Sequence, residues 1–222
     1  MWYSLTTGEM GPKFDTCFFE RYAMISLQTL EGHRYDCLVN EDRPDLQAPD
    51  HSIGIEVTRA MEESRDVADS MVMEMAGMPD GPYRDEGPMQ EEYRRIMDSG
   101  YAYGLYGGKY IGKKEYGYWL LAQPLKRILE NKIKKVGSGF YGTFNEFGLY
   151  VFCKDQLSEN EIRLAMDYTE DLQKDSPVKY RTLFISLIDK LYVCDMKDGT
   201  SHWHNISSDQ CRRFFINALS ER

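Results

Sequence analysis

The sequence lacks the features that mark membrane, secreted and zinc-knuckle proteins. No stretch approaches the roughly 18 consecutive apolar residues that a membrane span needs. The opening MWYSLTTGEMG has neither a basic segment nor an apolar run, so no signal peptide is predicted. The five cysteines are scattered and include no CxxC pair, which favours reduced thiols over a disulfide framework. We therefore expect a cytoplasmic protein with no membrane partner.

Several motifs of common enzyme classes are also missing. The chain has no Gly-x-Ser-x-Gly elbow, no dinucleotide fingerprint and no internal repeat. It is 42% hydrophobic and 28% charged over 222 residues, which suits one globular domain. We expect a single α/β domain over 1–222. It would comprise a helix and hairpin core (14–76), a Gly/Pro/Tyr-rich insertion (77–118), and a Lys-rich helix followed by further strands and helices (119–222).

Lysine is absent between Lys13 and Lys109, and the charges are segregated along the chain. Residues 41–98 contain 16 Asp or Glu and six Arg, whereas residues 109–135 contain eight Lys or Arg and two Glu. The net charge of −9 argues against broad, non-specific nucleic-acid binding. A basic segment beside an acidic one nevertheless suits a phosphate substrate; the alternative is a solvated helix surface.

The stretch Arg43–Thr58, RPDLQAPDHSIGIEVT, predicts a hairpin with two carboxylates. Its second half alternates apolar and polar residues, as in a strand, and APDHS supplies the turn. Antiparallel pairing places Leu46 opposite Ile55 and Asp45 opposite Glu56. Directly opposed like charges are destabilising, and a bound divalent cation is the simplest way to offset the repulsion. The alternative is a surface hairpin with two acids and no site.

The hairpin residues resemble a known motif. Pro44-Asp45, a short gap and then Glu56-Val57-Thr58 is similar to the core of the PD-(D/E)xK nuclease superfamily, except that Thr58 stands at the lysine position. The resemblance implies a restriction-endonuclease-like fold, in which a mixed central β-sheet is flanked by helices. It also implies that Asp45, Glu56 and the carbonyl of Val57 hold Mg²⁺ or Mn²⁺.

Two residues outside the hairpin are further candidates for catalytic roles. A helix is predicted over Phe14–Leu30, and the resemblance implies that its Glu20 joins the metal site; the alternative is an ordinary surface glutamate. A second helix is predicted within Trp119–Val136, where Lys132 projects from the middle of an apolar stripe. Lys132 either pairs with the hairpin carboxylates and replaces the motif lysine, or extends out to solvent. The stripe comprises Leu125, Ile128, Leu129, Ile133 and Val136.

The segment Gly100–Tyr118 interleaves six tyrosines with glycines and three lysines. It predicts either a surface that stacks on bases and contacts phosphates, or a flexible loop whose aromatics pack locally. The candidate substrate-binding lysines are Lys109, Lys113, Lys114 and Lys135. Within the segment, Gly107–Lys114 nearly matches a phosphate-binding P-loop, although it ends in lysine instead of the Ser or Thr that would hold magnesium.

The remaining elements are predicted from periodicity and capping residues. Helices are expected over Arg59–Met75, Ser158–Leu172 and Ser207–Leu219, and strands over Tyr35–Val39, Phe147–Cys153, Thr182–Ile188, Lys190–Cys194 and Ser201–Ile206. Asp189 and Lys190 are expected to form a tight turn. His202 and His204 would face the same side of their strand and could share a metal, but the sequence shows no third ligand, so a polar strand edge is the alternative.

Three functions are compatible with these patterns. The first is a metal-dependent nuclease-like enzyme that acts on phosphodiesters of nucleic acid. The second is a catalytically inactive protein of the same fold that binds nucleic acid or a partner protein; Thr58 is its chief support, because a threonine cannot replace an ammonium. The third is a nucleotide-binding protein that uses residues 107–114. A Lys132 ammonium within reach of Asp45 and Glu56 would favour the enzyme.

Overall fold

The computed structural model describes residues 17–60, 105–106, 109–110, 121, 123–154 and 156–220. The helices in these residues are α1 (Phe18–Leu30), α2 (Gln123–Gly137), α3 (Glu159–Leu172) and α4 (Ser208–Ser220), with a short 3-10 helix at Gly32–Arg34. The strands are β1 (Val39–Asn40), β2 (Leu46–Gln47), β3 (Ile53–Ala60), β4 (Leu105–Tyr106), β5 (Lys109–Tyr110), β6 (Glu146–Cys153), β7 (Tyr180–Ser186), β8 (Lys190–Asp195) and β9 (Thr200–Asn205).

Within the described residues, seven strands form one mixed sheet in the order β1-β2-β3-β6-β7-β8-β9, and β4 pairs with β5 separately. The β3–β6 and β6–β7 pairs are parallel, and the outer pairs are antiparallel. Central β6 is apolar on both faces because helices cover both faces of the sheet. The fold is therefore α/β, with a mixed central sheet flanked by helices.

The two faces of the sheet carry separate hydrophobic clusters. The cluster beneath α2 and α3 includes Leu149 and Leu183, and the cluster beneath α1 and α4 includes Ile55 and Phe184. The apolar stripe predicted for α2 is buried where it meets the sheet. Neighbours across a strand pair share a face, so Glu56, which lies opposite Leu149, points toward the α2 side.

The predicted hairpin register is confirmed, because Leu46 pairs with Ile55 and β2 runs antiparallel to β3. The predicted start of the next helix at Arg59 is wrong. Arg59 and Ala60 continue β3, where they pair with the last residues of β6. The long buried strand β6 supplies backbone partners that local periodicity does not report. The rest of the helix predicted over Arg59–Met75 lies outside the described residues.

Two shorter predictions are also corrected. The strand expected over Tyr35–Val39 is a loop over most of its length, after the 3-10 helix, and the strand β1 begins only at Val39 and holds two residues. Gly32 follows α1 with a φ of +63°, and the helix ends there. The backbone then turns so that the Tyr35 amide donates to the Gly32 carbonyl at 2.8 Å, and the Tyr35 side chain is buried. Lys190 belongs to β8, so the turn between β7 and β8 spans 187–189 rather than Asp189 and Lys190.

Other local predictions agree with the structure. Ser158 caps α3 in a capping box with Glu161, as expected from their spacing. Ser207 caps α4, since its hydroxyl accepts from the Gln210 amide at 3.3 Å. All five cysteines are free thiols. None of the helices in the described part of the chain is long and apolar enough to cross a membrane.

Candidate active site

The hairpin formed by β2 and β3 brings its two acids, Asp45 and Glu56, together. The Asp45 carboxylate lies just before β2, and its Oδ2 accepts a hydrogen bond from the Val57 amide at 2.7 Å. Glu56 directly precedes Val57 on β3 and is only 5% exposed. The confirmed register, continued by one residue, places Asp45 opposite Glu56 as the sequence predicted. The site therefore starts from two neighbouring carboxylates, one of them buried.

Lys132 reaches this pair from α2. Its Nζ donates to Glu56 Oε1, and both side chains are largely buried, at 15% and 7% exposure. The apolar stripe of α2 packs on the sheet and thereby holds Lys132 over β3. A buried carboxylate without a partner is strongly unfavourable, so this contact stabilises the fold whatever its part in chemistry. The catalytic roles of Lys132 and Glu56 stay a prediction.

The site has more carboxylates than its one lysine, Lys132, can neutralise. Burial, followed by the charges of Glu56 and Glu20, raises the pKa of Asp45, whereas the Val57 amide and Lys132 lower it; the net result is a pKa of about 7. Glu20 projects from α1, and its Oε2 accepts from the Asn40 side-chain amide at 2.9 Å. The Glu20 charge thus acts on Asp45 from a distance, and Lys132 is the cation that contacts the hairpin acids among the described residues.

Two tyrosines that the sequence did not single out complete the cluster. The Tyr180 hydroxyl donates to the Lys132 carbonyl at 3.3 Å. The Tyr141 hydroxyl is buried and has no hydrogen-bond partner among the described residues. Burial raises the pKa of Tyr141 well above its usual range, and the nearby Glu56 carboxylate raises it further. Tyr141 follows α2 in a loop with no periodic pattern, so no sequence signal could have placed it here.

The donor set fits a hard divalent cation. Each hairpin carboxylate uses one oxygen in the contacts described above, and Asp45 Oδ1 has no hydrogen bond to another described residue. Carboxylate oxygens are the ligands that Mg²⁺ and Mn²⁺ prefer. The buried Tyr141 hydroxyl lies near Glu56 and Tyr180 and adds a further polar group to the cluster. Lys132 occupies Glu56 Oε1, so a cation would use the other oxygen of Glu56.

An exposed aromatic side chain with two cations lies beside the cluster. Phe140 is 49% exposed and contacts the buried Tyr141 edge to face, with the ring centroids 5.2 Å apart. The Lys135 ammonium lies 5.2 Å from the centre of the Phe140 ring, and the Arg43 guanidinium lies 5.4 Å from it. The sequence predicted Lys135 as a substrate contact but missed Phe140 and Arg43. We call Phe140, Lys135 and Arg43 the cation–aromatic platform.

The other predicted substrate contacts are largely outside the described residues. Lys113 and Lys114 are outside the described residues, and only the backbone of Lys109 is described, in β5. The P-loop resemblance at Gly107–Lys114 is likewise mostly outside them. Its described part belongs to a two-residue antiparallel ladder between β4 and β5, whereas a P-loop connects a strand to a helix.

Asp45, Glu56 and Lys132 therefore meet in one polar cluster on the α2 side of the sheet, with Glu20 coupled to it and the cation–aromatic platform beside it. Comparisons of the chain with protein-family models, with curated proteins and with solved structures found no match.

Proposed function

We propose that the chain is a divergent protein of the PD-(D/E)xK type, with a restriction-endonuclease-like arrangement, that hydrolyses phosphodiesters of nucleic acid with the help of a divalent metal. The observation that carries the proposal is the contact between Lys132 and Glu56. The motif lysine is replaced by Thr58, whose partner Val151 belongs to the cluster beneath α2 and α3. An ammonium from α2 therefore lies on the side of β3 that the motif lysine would occupy.

Each side chain has a role that its position allows. Asp45 and Glu56, with the Val57 carbonyl, would hold Mg²⁺ or Mn²⁺, whereas Glu20 is bonded to Asn40 and would add negative charge nearby. Such an ion supplies polarisation of the phosphodiester and a lower pKa for the attacking water. Lys132 would orient that water and stabilise the negative charge that develops on the phosphate.

The cation–aromatic platform supports nucleic acid as the substrate. A half-exposed Phe140 can stack on a base, while Arg43 and Lys135 can contact the flanking phosphates. The platform adjoins the acids directly, since Phe140 precedes Tyr141 and Arg43 lies two residues before Asp45. A chain of net charge −9 needs such a local cationic surface to approach a polyanion.

The test is cleavage of single- and double-stranded DNA and RNA with Mn²⁺ or Mg²⁺. We expect Asp45→Asn and Lys132→Met each to reduce cleavage by about 100-fold or more. Lys134→Met is the matched control, because Lys134 is exposed on the same helix and should leave the rate unchanged. Cleavage by Asp45→Asn at the parent rate would refute the metal-dependent mechanism.

A lysine transfer tests the role given to Lys132. The double variant Thr58→Lys/Lys132→Met moves the ammonium from α2 to the strand position of the motif. If Lys132 substitutes for the motif lysine, the double variant should recover a measurable part of the cleavage that Lys132→Met loses. No recovery in a folded double variant would restrict Lys132 to holding Glu56 in place.

A second candidate is a binding protein without catalysis. Thr58 and the buried Lys132–Glu56 pair favour it, because the pair is already satisfied without any metal. This candidate predicts salt-dependent binding of oligonucleotides that Phe140→Ala weakens, with no cleavage under any metal. Phe140 is half exposed, so the substitution should leave the fold intact.

A further inference from the structure

A second polar cluster lies at the other end of α1, away from the hairpin. The Glu31 carboxylate oxygen Oε1 is contacted by His202 Nε2 at 3.0 Å and by His204 Nε2. The potential ligand atoms of these three residues all lie within 4.8 Å of one another. The sequence predicted that the two histidines share a side of their strand, and the structure adds the third ligand, which comes from a residue 171 positions earlier.

The fold explains why the three side chains converge. His202 and His204 alternate along edge strand β9, opposite Val193 and Leu191 of β8. Val193 and Leu191 belong to the cluster beneath α1 and α4, so both imidazoles project from the face that α1 covers. Glu31 is the last residue of the α1 turn, and its amide donates to the Leu27 carbonyl.

The cluster is partly enclosed and open on one side. The side-chain exposure is 16% for Glu31, 31% for His204 and 59% for His202. Burial raises the pKa of Glu31, but the hydrogen bonds from His202 and His204 outweigh it, so the pKa of this carboxyl is lowered. A carboxylate and two imidazoles are thus presented in one place, with access from solvent past His202.

We propose that Glu31, His202 and His204 bind a divalent transition metal of the Zn²⁺ class. Imidazole nitrogens suit Zn²⁺, Cu²⁺ and Ni²⁺, whereas Mg²⁺ and Ca²⁺ prefer oxygen. Zn–N and Zn–O bonds of about 2.0–2.2 Å place tetrahedral ligand atoms about 3.3 Å apart. The contact of 3.0 Å between His202 and Glu31 is close to that spacing, whereas the shorter contact between His204 and Glu31 would have to open to admit the ion.

Three protein ligands leave the fourth tetrahedral position of a Zn²⁺ ion for water or an external ligand. Solvent reaches the cluster past His202, and this would place the fourth position on the open side. The ion would also tie the end of α1 to the sheet edge β9. The site is independent of the hairpin acids: Glu31 follows Glu20 by eleven residues, which is about 16 Å along the helix axis.

The experiment is calorimetric titration of ZnCl₂ into the full chain after its metal has been stripped with EDTA and the chelator removed. We expect one equivalent to bind at this site in the parent, and the same equivalent should remain in Asp45→Asn, in which the hairpin acids can no longer hold a second ion. Glu31→Gln should weaken that binding by at least the roughly 10- to 100-fold that loss of an outer-shell partner costs. The double variant His202→Ala/His204→Ala should lose the equivalent.

The matched control is His33→Ala. His33 is a fully exposed histidine two residues from Glu31 that pairs with Asp36 rather than with the cluster, so its removal should leave Zn²⁺ binding unchanged. Glu31→Gln preserves the size of the side chain, and a thermal melt of each variant without metal shows whether it is folded. The proposal is overturned if the parent binds no Zn²⁺, or if Glu31→Gln and the double histidine variant bind it as tightly as the parent does.

Discussion

Replacing Asp45 by asparagine should stabilise the metal-free protein, and the gain should grow with pH. Asparagine can still accept the hydrogen bond from the Val57 amide, so the substitution removes charge and little else. Burial raises the pKa of Asp45 from 3.8 to about 7. In the unfolded chain this carboxyl ionises near 3.8, so between those two values the folded state binds more protons than the unfolded state does.

The sign follows from that difference in bound protons. The contribution of Asp45 to stability is fully present below pH 3.8 and is lost as the pH rises through 7. A change of this size in pKa corresponds to at most about 4 kcal/mol above pH 7, and partial exposure of the side chain reduces it. We expect the stability gap between Asp45→Asn and the parent to widen by about 2 kcal/mol between pH 5 and pH 8.

The assay is urea unfolding in EDTA at pH 5, 6, 7 and 8, followed by circular dichroism. Asp42→Asn serves as the control, because its carboxylate lies in the same loop with 84% of its side chain exposed and should give a gap that does not widen. A gap for Asp45→Asn that stays constant or narrows as the pH rises would refute the raised pKa of Asp45 in the folded state. In buffer without EDTA, added Mn²⁺ should stabilise the parent but not Asp45→Asn if the hairpin acids hold a metal.

Two further perturbations test the packing around the site. Lys132→Met leaves Glu56 buried without its cation and should destabilise the protein by about 3–5 kcal/mol in urea unfolding. Adding Glu56→Gln to that variant should restore most of the lost stability, whereas additive losses would show that the pair does not interact. Gly54→Ala places a Cβ 2.8 Å from Pro44 and 2.9 Å from Phe144, which should destabilise by about 1–3 kcal/mol, and an unchanged unfolding midpoint would show that these rings move aside freely.

The parts of the site that lie within one regular element could be predicted from the sequence. A period of two along Ser52–Thr58 sets which side chains share a face, and with the turn it sets the register that opposes Asp45 and Glu56. A period of 3.6 along α2 identifies Lys132 as a cation inside an apolar stripe, and a buried cation needs a buried anion. Both inferences use local geometry that tertiary contacts did not alter.

The parts that depend on distant segments could not be predicted in this way. Glu31 meets His202 and His204 because the sheet order places β9 beside the end of α1, and nothing local to any of the three reports that order. Tyr141 and Phe140 lie in a loop without periodicity. The extension of β3 to Ala60 depends on the length of β6, a strand almost ninety residues further along the chain.

The origin of the lysine has a mechanical consequence for the proposed enzyme. A lysine at position 58 would be fixed by the same strand that carries Glu56, so the two groups would move together. Lys132 is fixed instead by the packing of α2, through the fully buried Leu125 and Leu129. The distance between the Lys132 ammonium and the Glu56 carboxylate therefore depends on how α2 packs on the sheet. Core substitutions beneath α2 should alter cleavage as well as stability, although they contact neither group.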